Sequence, residues 1–352
     1  MSSIKEVAQQ AGVSTATVSH VINKTRFVSE EIRARVLSAI EKCRYYPNAH
    51  ARGLASGRSR MIGLVISDIA NPFFPELVKA IEAAAFERGY DIVLSNTNYD
   101  AKRTSNYVRR FIERKVAGVA VMTSEMDKGL VEELAHSEVP VVFLDVGETA
   151  THMHNMRVDY DEGIEQAIKH LVALGHRRIA YIGGTEKLSS ARRRLEAFRR
   201  AMAQLVPGQP ELIFQGNFKI EGGRAAANEI MNVHRDDLPT AVLTANDLTA
   251  IGAISEFESA GIKIPSDISI VGFDDIAFAA LTRPKLTTVH VPLNELGRRA
   301  VEVLLNSLDD LQKVGIEIRM PTKLVIRDST GPVRFLANET EIKKRQFEKQ
   351  TV

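Results

Sequence analysis

Cysteine is almost absent from this 352-residue sequence, because Cys43 is its only example. One thiol cannot form a disulfide within the chain, so no disulfide framework supports the fold. Disulfides belong to oxidising compartments, whereas the cytoplasm keeps thiols reduced. The cysteine usage therefore favours a cytoplasmic protein, in which Cys43 acts as a small apolar packing residue.

Long apolar segments are also missing. No run approaches the roughly 20 residues that a membrane-spanning helix needs. The first residues, MSSIKEVAQQAGVS, contain no continuous apolar segment of the kind found in a secretory signal. We therefore expect no membrane partner and a cytoplasmic location.

Signatures of catalysis are scarce as well. The sequence contains neither G-x-x-x-x-G-K-[ST] nor G-x-S-x-G. His152 and His154 form the only close histidine pair, with too few neighbouring ligands for a metal. Asp274 and Asp275 are adjacent on an expected strand, so their carboxylates point in opposite directions. We expect no catalytic residue, metal or cofactor. A sugar-processing enzyme is the alternative, which a turnover assay on the bound ligand would test.

The charge is unevenly distributed along the chain. Residues 1–60 carry ten Lys and Arg but only four Asp and Glu, whereas the remaining 292 residues have a net charge of −4. A basic head on a mildly acidic body suggests that the head binds a polyanion such as nucleic acid. The alternative is a solvated basic surface.

The basic head reads as three helices. Apolar residues at positions 4, 7, 8 and 11 share one helical face, and Gly12 can end that helix in a left-handed conformation. Ser14 is a suitable N-cap for a second helix from Thr15 to about Ile22, and Ser29 for a third. Two helices joined by a short glycine turn form the helix-turn-helix pattern. The expected core contains Val7, Ala8, Val18, Val21, Val36 and Ile40.

Residues 13–29, VSTATVSHVINKTRFVS, contain no Asp, Glu or Gly. If the valines face inward, Thr15, Ala16, Thr17 and His20 lie outward on the first part of helix two, the part that enters the major groove in a recognition helix. Arg26 could contact guanine through two hydrogen bonds. The absence of acids suits a surface that meets phosphates. A small helical bundle with a polar surface is the alternative.

Residues 47–59, PNAHARGLASGRS, follow the head. Pro47 can begin a helix and Gly57 can end one, which leaves one to three turns. So short a helix does not persist alone in water. By itself the segment is a linker.

From Arg60 onward, apolar strand-like runs alternate with amphipathic helices, for example MIGLVISDI, DIVLSNT, VAGVAVMT and VPVVFLD. A second series of the same kind begins after about residue 160. This alternation predicts an α/β fold with two doubly wound parallel sheets, one in each of two lobes.

Ligands in such folds bind beyond the carboxyl ends of the strands. The residues there are amides, carboxylates, arginine and aromatics, a set that can pair with sugar hydroxyls and cover an apolar ring face. Each residue alone is weak evidence, and Asp247 is expected to be the N-cap of helix 248–260. The strand-end positions are 71–74, 122–124, 145, 159, 183–194, 218, 246–247 and 273–275.

The head, and VSTATVSHVINKTRFVS in particular, resembles the headpiece of the LacI/GalR family of bacterial repressors, most closely the ribose and purine branch. The similarity extends to about residue 330. It implies a pseudo-palindromic double-stranded operator and a homodimer. Base contacts would come from Thr15, Ala16, Thr17, His20 and Arg26, and phosphate contacts from Ser19 and Asn23. The resemblance also implies that the linker becomes a hinge helix on DNA, where Leu54, preceded by Arg52, enters the minor groove.

The body resembles the periplasmic sugar-binding-protein fold that this family uses as a sensor. The segments NPFF, SARRRLEAF, TAND and VGFDD stand where the family binds its effector. The implied effector-binding residues are Asn71, Phe73, Phe74, Asp145, Asp159, Ser190, Arg194, Phe218, Asn246 and Asp274.

Two departures from the family bear on the effector. Ribose sensors carry a Gln where Val291 stands, and purine sensors carry an Arg where Leu188 stands. The missing Gln argues against ribose itself but not against a small polyol or another sugar, and the missing Arg argues against a purine. The expected effector is a sugar such as a pentose, with a purine corepressor as the alternative. Whether the effector releases DNA or promotes binding stays open.

The expected organisation is a head at 1–46, a hinge at 47–59, a sensor at 60–330 and a tail at 331–352. Within the sensor, lobe 1 takes residues of about 60–160 and 291–321, and lobe 2 takes about 161–290 and 322–330.

Overall fold

The computed structural model describes residues 3–23, 25–46, 59–123, 126, 128–145, 147–233, 238–309 and 314–333. The chain forms two compact units, Met1–Ser59 and Arg60–Val352. Most of the linker, including Arg52 and Leu54, lies outside the described residues, as do Ser124 and the tail from residue 334.

The head contains helices α1 (Ile4–Ala11), α2 (Thr15–Asn23) and α3 (Glu30–Cys43). Ser3 and Glu6 form a reciprocal capping box at the start of α1, which satisfies two backbone N–H groups. Gly12 ends α1 with φ 62°, a left-handed conformation that glycine adopts without strain. The helix-turn-helix that the sequence predicts is therefore present.

The head packs around a small apolar core. Val7, Val18 and Val36 are fully buried, and Ile22 and Ile40 pack against them. Ser14 Oγ accepts a hydrogen bond from the Thr17 backbone N–H at 3.1 Å, as expected of an N-cap. The expectation for Ser29 was only partly right, since it stands at the N-cap position of α3 but its side chain makes no capping hydrogen bond.

The body contains two six-stranded sheets. In chain order, its first elements are β1 (Met61–Ile66), α4 (Phe73–Phe86), β2 (Asp91–Asn96), α5 (Ala101–Glu113), β3 (Gly118–Met122), α6 (Lys128–His136), β4 (Val141–Leu144) and β5 (Met153–Val158). With β11 (Glu317–Met320), these strands form a parallel sheet in the order β11-β5-β4-β3-β1-β2.

The second sheet follows along the chain. Its elements are α7 (Tyr160–Ala173), β6 (Ile179–Ile182), α8 (Ser189–Leu205), β7 (Leu212–Phe214), α9 (Ile220–Met231), β8 (Ala241–Thr244), α10 (Asp247–Ser259), β9 (Ser269–Asp274), a 3₁₀ turn (Ala277–Ala280), β10 (Thr287–His290) and β12 (Lys323–Val325). The strand order is β12-β10-β9-β8-β6-β7. Among the strands of the described residues, only β12 is antiparallel to its neighbour, so the doubly wound pattern is confirmed for both sheets.

The chain passes between the sheets more than once. After β10, helix α11 (Leu293–Asp309) packs on α4 of the first sheet, where Gly297 lies against Ala80. Strand β11 then joins the first sheet and β12 the second. Because each sheet has helices on both faces, the carboxyl ends of the two sets of strands are free to border a cleft.

The sequence did not indicate one strand, and one local expectation was wrong. Strand β5 was not predicted, because its sequence, MHNMRV, is too polar to read as a buried strand. His154 and Asn155 are nevertheless buried, and Ser307 and the Ile316 N–H bond to His154. The N-cap of α10 is Asn246, which accepts from the Thr249 N–H, whereas Asp247 is the first helical residue.

Candidate functional site

The outward surface of α2 is polar. Thr15, Ala16, Asn23 and Arg26 are exposed, while Thr17, Ser19 and His20 are half-buried. Because buried Val18 and Val21 fix the inward face, these side chains share a surface that no acidic residue interrupts. The surface has the chemistry of a recognition helix, whose first residues contact base edges.

Two side-chain pairs hold groups on this surface. His20 Nδ1 lies 2.8 Å from Thr25 Oγ1, and Asn23 Nδ2 donates to Ser19 Oγ at 3.2 Å. With Nδ1 engaged, His20 would reach a base through Nε2. Arg35 donates to the carbonyls of Ala11 and Gly12, which ties α3 to the turn before α2.

The second candidate site is a cleft at the carboxyl ends of both sets of strands. Nine of the ten expected effector-binding residues line it: Asn71, Phe73, Phe74, Asp145, Ser190, Arg194, Phe218, Asn246 and Asp274. The strand-end rule therefore brings these residues together. Other lining residues are Ser67, Tyr99, Met122, Thr123, Leu144, Tyr160 and Leu188.

Arg194 lies at the centre of the cleft. Its guanidinium carbon is 4.4 Å from the ring centre of Phe273, 4.9 Å from Tyr160 and 5.6 Å from Phe218. It pairs with Asp274 at 3.2 Å and donates to the Ala245 carbonyl. Its Nε has no hydrogen-bond partner among the described residues. Arg194 is thus a fixed cation that lines the cleft and has one buried donor without a partner in the described structure.

Two carboxylates accompany this cation. Burial raises the pKa of Asp274 to about 6, with a further increase from Asp145 and Glu76, although Arg194 acts to lower it. Burial also raises the pKa of Asp145, which accepts from the Tyr160 hydroxyl. Asp145 Oδ1 lacks a hydrogen-bond partner in the described part of the chain. Each buried lone pair without a donor favours a ligand that supplies one.

Aromatic side chains form the walls of the cleft. Phe73 and Phe74 meet edge to face with ring centres 5.5 Å apart. Asn71 Oδ1 accepts from the Phe73 N–H at the start of α4, which leaves the Asn71 amide N–H groups for other partners. Phe218 adopts φ 62°, a left-handed conformation that is uncommon for a residue with a side chain.

Asn246 lines the cleft and also stabilises the fold around it. Its Oδ1 accepts from Thr249, and its Nδ2 donates to the Phe218 carbonyl at 3.0 Å. The amide therefore holds two neighbouring loops, and its remaining N–H is the group that a ligand could use.

Asp159 was wrongly grouped with these residues, because it does not line the cleft. Its carboxylate caps α7 by accepting from the Glu162 N–H and pairs with Arg319 at 2.6 Å. The sequence reasoning also missed Tyr160, the next residue, whose ring covers Arg194. It missed Tyr99 and Ser67 too, although both follow strands of the first sheet and the strand-end rule could have found them.

The histidine pair behaves as a structural feature. His154 bonds to Ser307 at 2.8 Å, and the described residues contain no cluster of His, Cys, Asp and Glu that could hold a metal. Asp275 points away from Asp274 and is bonded to His290 and Arg327. Burial acts to raise the pKa of Asp275, but these two bonds outweigh it and the pKa is lowered.

A helix-turn-helix head and a two-lobed body with a polar, aromatic-walled cleft define a DNA-binding regulator controlled by a small molecule. Comparisons with known proteins agree. The family described as bacterial regulatory proteins, lacI family, matches residues 3–48, and the periplasmic binding protein-like domain matches residues 168–330. The HTH-type transcriptional repressor PurR of Photobacterium profundum is 38% identical over 331 residues, covering 94% of this chain and 98% of that protein.

Solved structures give the same result. The lac repressor dimer bound to operator and the anti-inducer ONPF has a TM-score of 0.84 at 30% identity, covering 94% of this chain and 99% of that one. A LacI family regulator from Enterococcus faecium with bound ribose has a TM-score of 0.69 at 29% identity, covering 78% and 100%. The chain belongs to the LacI family. It is an effector-controlled transcriptional repressor rather than an enzyme.

Among the helices of the described residues, none has the length and apolar character needed to span a membrane.

Proposed function

We propose that the protein is a homodimeric repressor whose affinity for a pseudo-palindromic operator is set by a sugar, such as a pentose, bound in the cleft. The observation that carries the proposal is the arrangement around Arg194. The buried Arg194 pairs with the buried Asp274, Asp145 is a second buried carboxylate of the same cleft, and Arg194 Nε and Asp145 Oδ1 each lack a partner in the described structure. A hydroxyl donates and accepts at once, so neighbouring hydroxyls on one small molecule suit both atoms.

The walls of the cleft support a sugar in the same way. Phe73, Phe74 and Phe218 are buried aromatics that can lie against the C–H face of a ring. The ribose-bound regulator from Enterococcus faecium shares the fold of this chain, which is consistent with a sugar of that size. Val291 is 1% exposed and offers no donor where ribose sensors carry Gln. A pentose or polyol that makes no hydrogen bond at position 291 is therefore also suitable.

A purine corepressor is the second candidate, because a PurR repressor is 38% identical to this chain. Leu188 argues against it. It lines the cleft at 6% exposure, where purine sensors carry an arginine. A purine would place a polar ring atom against an apolar side chain, at a cost of about 1–3 kcal/mol for the unmade hydrogen bond.

A thermal-shift screen separates the two candidates. A ligand present at 100 times its Kd stabilises the folded state by about 2.7 kcal/mol. For a sensor of this size that stabilisation corresponds to roughly 4–5 °C in Tm. We expect a shift with D-ribose, another pentose or a pentitol and none with hypoxanthine or guanine. A shift with purines alone would replace the sugar by a purine corepressor.

For DNA, we propose that the seven head residues Thr15, Ala16, Thr17, Ser19, His20, Asn23 and Arg26 contact the operator, together with Arg52 and Leu54 of the hinge. The exposed, acid-free surface of α2 supports this assignment. Titrating the protein onto operator DNA with and without the sugar would also show whether the sugar releases the repressor or strengthens its binding. We further propose a cytoplasmic location and the lobe boundaries given above.

A further inference from the structure

A buried carboxylate outside the cleft is bonded to the turn that carries Asp274. The chain turns at the end of β9 through two successive left-handed residues, Asp274 with φ 115° and Asp275 with φ 59°. Residues with side chains adopt such angles only at an energetic cost, and they stay there only when neighbours fix them. Asp274 carries the carboxylate that pairs with Arg194, so this turn sets the geometry of the cleft.

Asp247 is a buried group that bonds to the backbone of this turn. Its side chain is fully buried at the first position of α10. Oδ2 accepts from the Ile276 backbone N–H at 2.8 Å, directly after the two left-handed residues. Oδ1 accepts from the Thr288 hydroxyl of β10 at 2.5 Å. The carboxylate thus joins α10, the turn and β10.

Gly272 shows that the fold is built around this carboxylate. It lies opposite Thr288 in the β9–β10 register. A Cβ on Gly272 would overlap Asp247 Oδ1 and would also crowd Leu286. Position 272 of β9 therefore carries no side chain, which leaves the space that the Asp247 carboxylate occupies.

Asp247 itself is not among the residues that line the cleft. We propose that Asp247 is a positioning residue of the effector site, which holds Asp274 against Arg194 by accepting the Ile276 N–H. The proposal rests on the proposed function only in taking the Arg194–Asp274 pair as the effector site. Burial, assisted by the charge of Asp274, raises the pKa of Asp247 well above its usual value. An amide is therefore a close substitute for this carboxyl group.

Three variants test the proposal. Asp247→Ala removes the acceptor of the Ile276 N–H. Asp247→Asn keeps that acceptor and can donate to the Thr288 oxygen. Thr288→Val is the matched control, because it removes the other hydrogen bond of Asp247 and leaves the Ile276 contact in place.

The first measurement is backbone amide hydrogen exchange over residues 274–277 in the ligand-free full chain. We expect exchange on the order of tenfold or more faster in Asp247→Ala, with near-wild-type rates in Asp247→Asn and Thr288→Val. If Asp247→Ala does not fold, Asp247→Ser is used instead. The serine side chain is polar but too short to reach Ile276, so it also removes the acceptor of the Ile276 N–H. A folded Ala or Ser variant with wild-type exchange in this segment would overturn the proposal.

The second measurement is the affinity for D-ribose by calorimetry. We expect Asp247→Ala to bind about tenfold or more weakly, Asp247→Asn to recover most of the affinity, and operator binding without sugar to stay unchanged. Equal D-ribose affinity in Asp247→Ala and wild type would also overturn the positioning role. Wild-type protein that binds no sugar would refute the proposed effector instead, because the exchange experiment contains no ligand and still decides the role of Asp247.

Discussion

Replacing Arg194 by alanine tests the electrostatics of the cleft. In the wild-type protein the pKa of Asp274 is about 6, above the ordinary carboxyl value of 3.8. A carboxyl with a raised folded-state pKa contributes stability below its unfolded pKa, and this contribution is lost as the pH rises through the folded pKa. Arg194 limits that loss by stabilising the ionised form of Asp274 at 3.2 Å.

The size of the effect follows from linkage. Without Arg194, the pKa of Asp274 rises further and the buried carboxyl keeps its proton at neutral pH. The added cost is about 1.4 kcal/mol for each pH unit above 6, hence roughly 2 kcal/mol at pH 7.5 and almost nothing at pH 5. The lost stacking on buried rings and the lost hydrogen bond to Ala245 add about 2–3 kcal/mol at both pH values.

Urea unfolding at pH 5 and pH 7.5 measures both contributions. Arg199→Ala is the control, because Arg199 is on the same helix and forms an exposed pair with Glu211. That pair should contribute less than about 1 kcal/mol, with little pH dependence. Arg194→Ala should also abolish the response of operator binding to the sugar. A stability loss that is equal at the two pH values, or a normal sugar response, would refute this account of Arg194.

Three further changes address the DNA, the cleft and the ligand class. Leu54→Ala should lower operator affinity by about tenfold or more while nonspecific DNA binding, measured by anisotropy at the same salt concentration, stays nearly constant. Glu76 accepts from the Ala277 N–H at 3.1 Å. Glu76→Ala should therefore weaken sugar binding, measured by calorimetry, by about fivefold. Glu76→Gln keeps the acceptor and should bind the sugar as the wild type does. Leu188→Arg should create binding of hypoxanthine, which calorimetry should not detect for the wild-type protein.

The fold could be predicted from the sequence because local and global signals agree in most elements. The glycine turn at Gly12 and the cap at Ser14 mark α2, and alternating apolar strands and amphipathic helices mark the body. Strand β5 was not predicted, because His154 and Asn155 are polar residues of the kind usually found at the surface. Their burial becomes clear only when their partners, far away in the chain, are known. Burial of a polar side chain depends on tertiary hydrogen bonds, which local patterns do not contain.

The sequence could predict which residues lie near the cleft, but not which way their side chains point. Ends of parallel strands share an edge, so Asn246 and Asp274 were expected near one another in the second sheet, and Asp145 at the corresponding edge of the first. That rule says nothing about where each side chain points. Asp159 turns to cap its own helix, whereas Tyr160 reaches the cleft because of its place at the start of α7. The same limit explains why Asn246, rather than Asp247, is the cap of α10.

Overall similarity and ligand choice draw on different residues. The 38% identity to a PurR repressor is spread over 331 residues, most of which maintain the fold. Ligand choice rests on the few side chains that face the cleft, and one substitution among them changes the hydrogen bonds on offer. Leu188 offers no donor, and two buried atoms of lining residues that lack partners in the described structure, Asp145 Oδ1 and Arg194 Nε, match a hydroxylated molecule. A purine would have to find its donors elsewhere in the cleft, whereas a sugar can use the groups already in place.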